Sequence, residues 1–317
     1  MTEGLAHSGV AIPQRRLGRV LVTGARGFIG RALVDKLRQA GEEVTASDLG
    51  RGGAAAPEIH ACDLTDPRQV EALIDKGPFD TIFHGGAVSG PMVMADRPLE
   101  IWRINALGTA HLLEAVRRSA TGRFVLCSSC AVYGPMHGAL IDEATPPDPG
   151  TVYGASKVGA EQAMIGYVRE HGLDAVALRL TWVYGPGRRT PTTLEAMLRA
   201  AIDGESIAID GSPSEMTHYV FIDDIVEGLL AAGSAAKTPR LVYNLSAGPG
   251  VTFAQVVDHV CALEPQARIA FAQDNLKEIG PIGFDLTNAA RELGYRPRVP
   301  LKDGLRRYME ALRAAAD

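Results

Sequence analysis

Arg19-Val20-Leu21-Val22-Thr23-Gly24-Ala25-Arg26-Gly27-Phe28-Ile29-Gly30 is the stretch that decides the fold. Its first five residues are a short apolar, β-branched run, the pattern of a buried strand. Three glycines follow at a spacing of Gly-x-x-Gly-x-x-Gly and lead into a helical pattern with Ala32, Leu33, Leu37 and Ala40 on one face, which stops at Gly41. A strand, a glycine turn and a helix are what a dinucleotide site requires. Glycine lets the backbone turn tightly and approach a pyrophosphate, whose charge meets the free N–H groups and positive dipole end of the helix.

Working outward, Glu43-Val44-Thr45-Ala46-Ser47-Asp48 reads as a second strand ending in an acid about 20 residues beyond the glycine turn. An acid there accepts hydrogen bonds from the adenosine ribose and repels a 2′-phosphate, which favours NAD over NADP. Arg51, just after the acid, and Arg26, inside the turn, are the features that would suit NADP. Phe79 to His84 is another buried strand, and its Gly85-Gly86-Ala87 end permits close approach to a cofactor. Arg123 to Cys127 is a further strand that ends in Ser128-Ser129-Cys130-Ala131-Val132-Tyr133-Gly134, putting hydroxyls at a strand's carboxyl end, where open α/β sheets bind ligands.

Tyr153-Gly154-Ala155-Ser156-Lys157 then sets a phenol and an ammonium four residues apart at a helix start, on one helix face. A free tyrosine has a pKa of about 10, and a fixed cation beside it lowers that value. Tyr153 is thereby a candidate to exchange protons with an alcohol or carbonyl.

With these elements in order the chain resembles the short-chain dehydrogenase/reductase superfamily, in its extended branch of sugar epimerases, dehydratases and dehydrogenases. The resemblance runs from Arg19 to about Leu312 and includes Asp63-Leu64, His84 to Ala87, Asn105 to Thr109, Val183-Tyr184-Gly185-Pro186-Gly187 and Arg291 to Tyr295. It implies a Rossmann-type, doubly wound parallel sheet with a smaller C-terminal substrate-binding lobe. By the same resemblance Tyr153 is the acid/base and Lys157 holds its pKa down and binds the nicotinamide ribose. Ser129, chosen over Ser128 by counting back from Val132-Tyr133-Gly134, donates to the reacting oxygen. NAD would meet Gly24, Gly27, Phe28, Ile29, Gly30, Asp48, Asp63, Leu64, Gly85, Gly86, Ala87 and Asn105, besides Tyr153 and Lys157. From the residues alone Asp63 is equally a loop-capping aspartate. Ser89, Cys130, Trp182 and Arg189 are the candidates to face substrate, with Arg188 beside Arg189 as a carboxylate clamp.

The implied reaction is hydride transfer to or from a secondary alcohol of a sugar or sugar acid; a nucleotide-sugar 4-epimerase is the alternative, and a non-catalytic dinucleotide-binding protein is disfavoured by the intact Tyr–Lys pair. Relatives that dehydrate carry an Asp-Glu pair where this chain has Cys130-Ala131, and relatives that epimerise by proton transfer carry a cysteine and a histidine where it has Ala131 and Gly187. Relatives that bind nucleotide sugars place an arginine at the position of Thr217, a second one before Asp285, where this chain has Asp274, Asn275 and Lys277, and an asparagine at Trp182.

At 317 residues, 46% hydrophobic and 22% charged, the chain has soluble-globular composition. A net charge of -5 with only isolated basic pairs gives no footprint for nucleic acid. No stretch reads as a signal peptide or membrane span, so a cytoplasmic protein is expected. Cysteines 62, 127, 130 and 261 have no metal-site spacing, and Cys127-x-x-Cys130 closes a strand where a redox motif would open a helix. The expected organisation is a flexible arm over 1–18, a dinucleotide-binding domain over 19–187 to which 218–246 returns, and a lobe from 188–217 and 247–317. One long helix is expected over 98–120, and with the Tyr153 helix it forms the homodimer interface in relatives.

Overall fold

The computed structural model describes residues 12–50, 58–135, 139–272 and 282–315. Seven parallel strands form the central sheet: β1 (Arg19–Thr23), β2 (Glu43–Asp48), β3 (Ile59–Ala61), β4 (Thr81–His84), β5 (Arg123–Ser129), β6 (Ala175–Leu180) and β7 (Val242–Leu245). Their order across the sheet is β7-β6-β5-β4-β1-β2-β3. The chain therefore starts at β1, winds outward to β3, and returns to add β4 on the other side. That reversal opens a crevice at the carboxyl ends of β1 and β4, the place where such sheets bind ligands.

The helices that link these strands are α1 (Phe28–Gln39), α2 (Pro67–Ile74), α3 (Pro98–Trp102), α4 (Gly108–Arg117) and α5 (Val152–His171), then α6 (Thr193–Asp203) in the lobe and α7 (Ile222–Ser234). Strand alternation sorts the apolar residues between two faces. Val20, Val22, Phe83, Val125, Val176 and Leu178 pack with α1 and α7, while Leu21, Ile82, Phe124, Leu126 and Ala177 pack with α2, α4 and α5. Such runs, apolar on both sides, suit only a sheet covered on both faces.

The lobe holds α6, α8 (Phe253–Leu263), α9 (Leu301–Ala314) and a parallel pair of strands, Ser206–Ile209 with Arg268–Phe271. Its Leu194, Met197, Leu198, Val256 and Leu305 continue the buried cluster that holds Val22 and Leu178. Between sheet and lobe, Trp182–Tyr184 runs parallel to Tyr219–Phe221.

Two expectations are corrected. The stretch 98–120 is not one regular helix: a π-helical turn, Arg103–Leu107, separates α3 from α4. The extra residue per turn brings Asn105 inward, where it is 1% exposed and its amide is bonded on every side. Nor is the described part of the arm loose. Arg15 N donates to Ser234 O at 2.6 Å, its guanidinium to Thr81 Oγ1 at 2.8 Å, and Leu17 is buried in the core. Residues 1–11 lie outside the described residues, as do Arg51 and the Gly52 to Pro57 turn.

Candidate active site

The crevice is lined first by the glycine turn. Gly24 has φ +71°, and a Cβ there would stand 2.6 Å from the Gly85 carbonyl carbon; one on Gly30 would stand 2.1 Å from Gly24 O. Only hydrogen fits at either place, so β1 abuts the loop after β4 and α1 seats directly on the turn. The first amides of α1, those of Phe28 and Ile29, have no acceptor within the helix. Gly27, before them, has no side chain to cap them. Asp48 at the end of β2 closes one side: its Oδ2 accepts from Arg26 N at 2.8 Å and its Oδ1 from Leu49 N at 2.7 Å. This cradle of N–H groups with a carboxylate at its rim fits a dinucleotide's pyrophosphate and ribose.

The floor is built by Thr23, which accepts at Oγ1 from Gly86 N at 3.2 Å and lies 2.7 Å from His84 Nδ1. The other ring nitrogen of His84 is 3.0 Å from Thr109 Oγ1. Full burial, helped by the nearby Lys157 charge, drives the histidine's pKa down to about 3, so it is a neutral strut. Leu64 covers Gly86, where an added Cβ would meet its Cδ1 at 2.8 Å. Asp63 caps its own loop, accepting at Oδ1 from Thr65 N and Thr65 Oγ1. Asn105 accepts from Val88 N at 2.8 Å and donates to Val88 O and Ser156 Oγ, tying the loop beyond Ala87 to α5. Every hydrogen of its amide is engaged by protein, so Asn105 shapes the crevice from behind.

At the carboxyl end of β5, Ser129 and Tyr153 face one another. Thr151 caps α5 by accepting from Gly154 N at 3.0 Å, which fixes the first turn and with it Tyr153. Burial raises the phenol's pKa, while the Ser129 hydroxyl and the Gly90 backbone act on it in the opposite sense. Ser129 Oγ also accepts from Ala131 N at 3.2 Å, and the neighbouring Ser128 turns away to the buried Glu161 carboxylate. Lys157 is buried with its Nζ donating to Cys127 O at 2.9 Å, and burial draws its pKa down to about 8. The groups that oppose burial at Tyr153 are Ser129 and the Gly90 backbone. Glu161 is held in turn by Arg179, with Nη2 to Oε2 at 2.6 Å. Neither residue was legible as part of the site, because nothing local in sequence marks a buried ion pair.

The substrate candidates divide. Cys130 lies against Ser129, and burial pushes its thiol up to about 12, with Cys127 at about 11, so both stay protonated at neutral pH. Ser89 is exposed and Trp182 is 41% exposed. Arg189 points to solvent. It is Arg188 that turns inward, donating to Val183 O at 2.6 Å with its guanidinium 5.9 Å from the Phe28 ring centre. Adjacent arginines after a turn look alike in sequence; the turn alone decides which is buried. Among the described residues no group of three or more His, Cys, Asp or Glu is placed to hold a metal, and no helix is long and apolar enough to cross a membrane.

Sheet order, glycine cradle and the Ser–Tyr–Lys grouping define a dinucleotide-dependent oxidoreductase of the Rossmann type. Comparison with known proteins narrows this: the model of the NAD dependent epimerase/dehydratase family matches residues 20–246, and the chain belongs to that family. Among curated proteins it is 29% identical to a dTDP-glucose 4,6-dehydratase of Actinoplanes sp., over 90% of this chain and 95% of that one. It is 28% identical to a UDP-glucose 4-epimerase of Mycolicibacterium smegmatis, over 93% and 98%. Among solved structures it superposes on a UDP-glucose 4-epimerase of Thermotoga maritima bound to UDP-glucose with TM-score 0.86, at 26% identity over 94% of this chain and all of that one. It superposes on MoeE5 in complex with UDP-glucose and NAD with TM-score 0.83, at 29% identity over 95% and 100%. The chain is an extended short-chain dehydrogenase/reductase, an NAD-dependent enzyme.

Proposed function

We propose that the enzyme moves hydride between NAD and a secondary alcohol of a free sugar or sugar acid, with Tyr153 as acid/base. The observation that carries this is the Tyr153 phenol facing the Ser129 hydroxyl at the end of β5, above a lysine anchored to the same strand. NAD, when bound, would take up or supply the hydride. Tyr153 Oη as the phenolate takes the alcohol's proton in oxidation and as the phenol returns it to the carbonyl oxygen in reduction, while Ser129 Oγ donates to that oxygen and orients it. In the reducing direction the raised pKa keeps the phenol loaded with the proton it must give. Lys157 supplies positive charge beneath the site, where a developing alkoxide gains most.

Similarity to 4-epimerases favours the second reading, in which the same Tyr153 acts on a nucleotide sugar. Against it stand Thr217, buried where such relatives carry an arginine, and Trp182 where they carry an asparagine. NADH formation separates the two: free sugars, aldonates and uronates are offered beside UDP-glucose and dTDP-glucose. Net NADH with a free compound, lost in Tyr153→Phe, supports the dehydrogenase; product only from a nucleotide sugar without net NADH supports the epimerase. A homodimer through α3, α4 and α5 belongs to the same proposal, supported by exposed Leu99 and Trp102 on α3, Leu107 on the π turn and Val152 on α5. A cytoplasmic location is also part of it.

A further inference from the structure

Arg188 is a half-buried cation to which no described residue offers an acid. One of its five N–H donors is used, Nη1 to the Val183 carbonyl at 2.6 Å. Its Nε is buried with no acceptor. Glu195, whose charge reaches it, is already engaged by Arg199 Nε at 2.9 Å and by the Tyr308 hydroxyl at 3.1 Å. Burial lowers the arginine's pKa, and the groups that act on its charge include Tyr153 and Tyr219. On the other side of the turn Arg31 repeats the pattern: its Nη2 donates to Gly187 O, and its Nε is buried without an acceptor.

A guanidinium held out of water with an unused donor costs stability unless a ligand answers it. With Nη1 fixed on Val183 O, the edge formed by Nε and Nη2 has no acceptor among the described residues. That edge presents two parallel N–H bonds, the geometry that takes a carboxylate in bidentate fashion. The first-turn amides of α1 would hold the cofactor's pyrophosphate, whereas Tyr153 is among the groups whose charge acts on Arg188.

We infer that Arg188 anchors a carboxylate of the substrate, so that the sugar-type substrate of this enzyme is a sugar acid. This rests on the dehydrogenase reading above and goes beyond it by fixing the substrate class. Bidentate pairing to Arg188 sets the ring or chain relative to Tyr153, with the Phe28 ring 5.9 Å from the guanidinium.

The test offers D-gluconate, D-galactonate, D-glucuronate and D-galacturonate to the wild type with saturating NAD, beside D-glucose, D-galactose and the methyl ester of D-glucuronate. The expected result is a kcat/KM for one of the acids on the order of 100-fold above its neutral counterpart, from charge-assisted bonds made to that substrate alone. Arg188→Met, which keeps an apolar stem on Phe28, raises KM for that acid on the order of 100-fold and leaves KM for NAD within about twofold. Arg188→Lys restores part of the loss. Calorimetry of the same acid with NAD-loaded Tyr153→Phe reads binding without turnover. Preference for the neutral compounds overturns the inference and leaves the dehydrogenase reading standing. Acid binding without any NADH from the wild type does the reverse. Loss of NAD affinity equal to loss of acid affinity in Arg188→Met, or UDP binding that depends on Arg188, identifies a phosphate contact and overturns the carboxylate anchor. Should Arg188→Met fail to fold, the acid-to-neutral ratio of the wild type decides alone.

Discussion

Lys157 Nζ lies 2.9 Å from the carbonyl oxygen of Cys127, so the site's buried cation is tied to β5 two residues before Ser129. The strand that presents the hydroxyl and the helix that presents the phenol are thereby fixed to each other. Lys157→Met cuts this link and removes the charge; Tyr153→Phe removes the acid/base and keeps the ring. Each is expected to lower turnover on the order of 100-fold or more, with circular dichroism unchanged. Near wild-type turnover in folded Tyr153→Phe would end the mechanism.

The same lysine gives a pH signature in stability. Its folded pKa of about 8 lies below the unfolded value of about 10.4, so between those limits the unfolded chain holds more protons than the folded one. Stability then rises with pH across the window, and the full cost of burying the charge is present below pH 8. Denaturant unfolding at pH 7 and 9.5 is expected to show the wild type gaining about 2 kcal/mol relative to Lys157→Met. An unchanged difference would mean that the lysine is not desolvated.

Ser128 and Ser129 separate by what they touch. Ser129→Ala removes the hydroxyl that faces Tyr153 and is expected to cut kcat on the order of 100-fold with little change in melting temperature. Ser128→Ala removes a partner of Glu161, which Arg179 still holds, and is expected to cost about 1 kcal/mol of stability while sparing kcat. The reverse pattern would exchange their roles.

Asp48 holds the glycine turn as well as the ribose position, through Arg26 N at 2.8 Å. Asp48→Ala is expected to weaken NAD about tenfold, the loss of roughly one charged hydrogen bond, and to narrow its advantage over NADP by removing the charge that repels a 2′-phosphate. Tighter NADP than NAD binding by the wild type would reverse the cofactor assignment.

What was legible in sequence is what local pattern controls. The β1 run, the glycine turn and β2 from Glu43 to Asp48 fall where apolar runs and turn chemistry put them, since a parallel strand covered on both faces leaves a continuous apolar signature. What was not legible depends on contacts distant in sequence. The π turn exists because Asn105 answers Val88 and Ser156, 17 and 51 residues away. The stretch 12–18 looked loose because its bonds run to Thr81 and Ser234 and leave no periodicity behind. The choice of Arg188 over Arg189 is made by the fold of one turn, and the lysine's partner is a backbone carbonyl that no side-chain motif encodes.

Thr217 is buried in a short strand, Met216–Thr217, paired with Val251–Thr252, so the position that carries an arginine in nucleotide-sugar relatives here faces packed protein. Trp182 stands where those relatives have an asparagine; it runs beside Tyr219 and, at 41% exposed, offers an apolar face and a narrower opening. Asp274, Asn275 and Lys277, where a second arginine is found in relatives, lie outside the described residues, and their sequence supplies one lysine and one acid. Each missing charge partner of a diphosphate forfeits about 1.5–3 kcal/mol, so the loss of two weakens binding by orders of magnitude. UDP, dTDP and GDP titrated calorimetrically into the NAD-loaded protein are therefore expected to bind no tighter than millimolar, although relatives of similar fold are named for nucleotide sugars. Arg188 is the residue that could reverse this, by turning its Nε–Nη2 edge to a phosphate. Micromolar binding of any of the three nucleotides, lost in Arg188→Met, would put the nucleotide-sugar 4-epimerase first and remove the sugar acid.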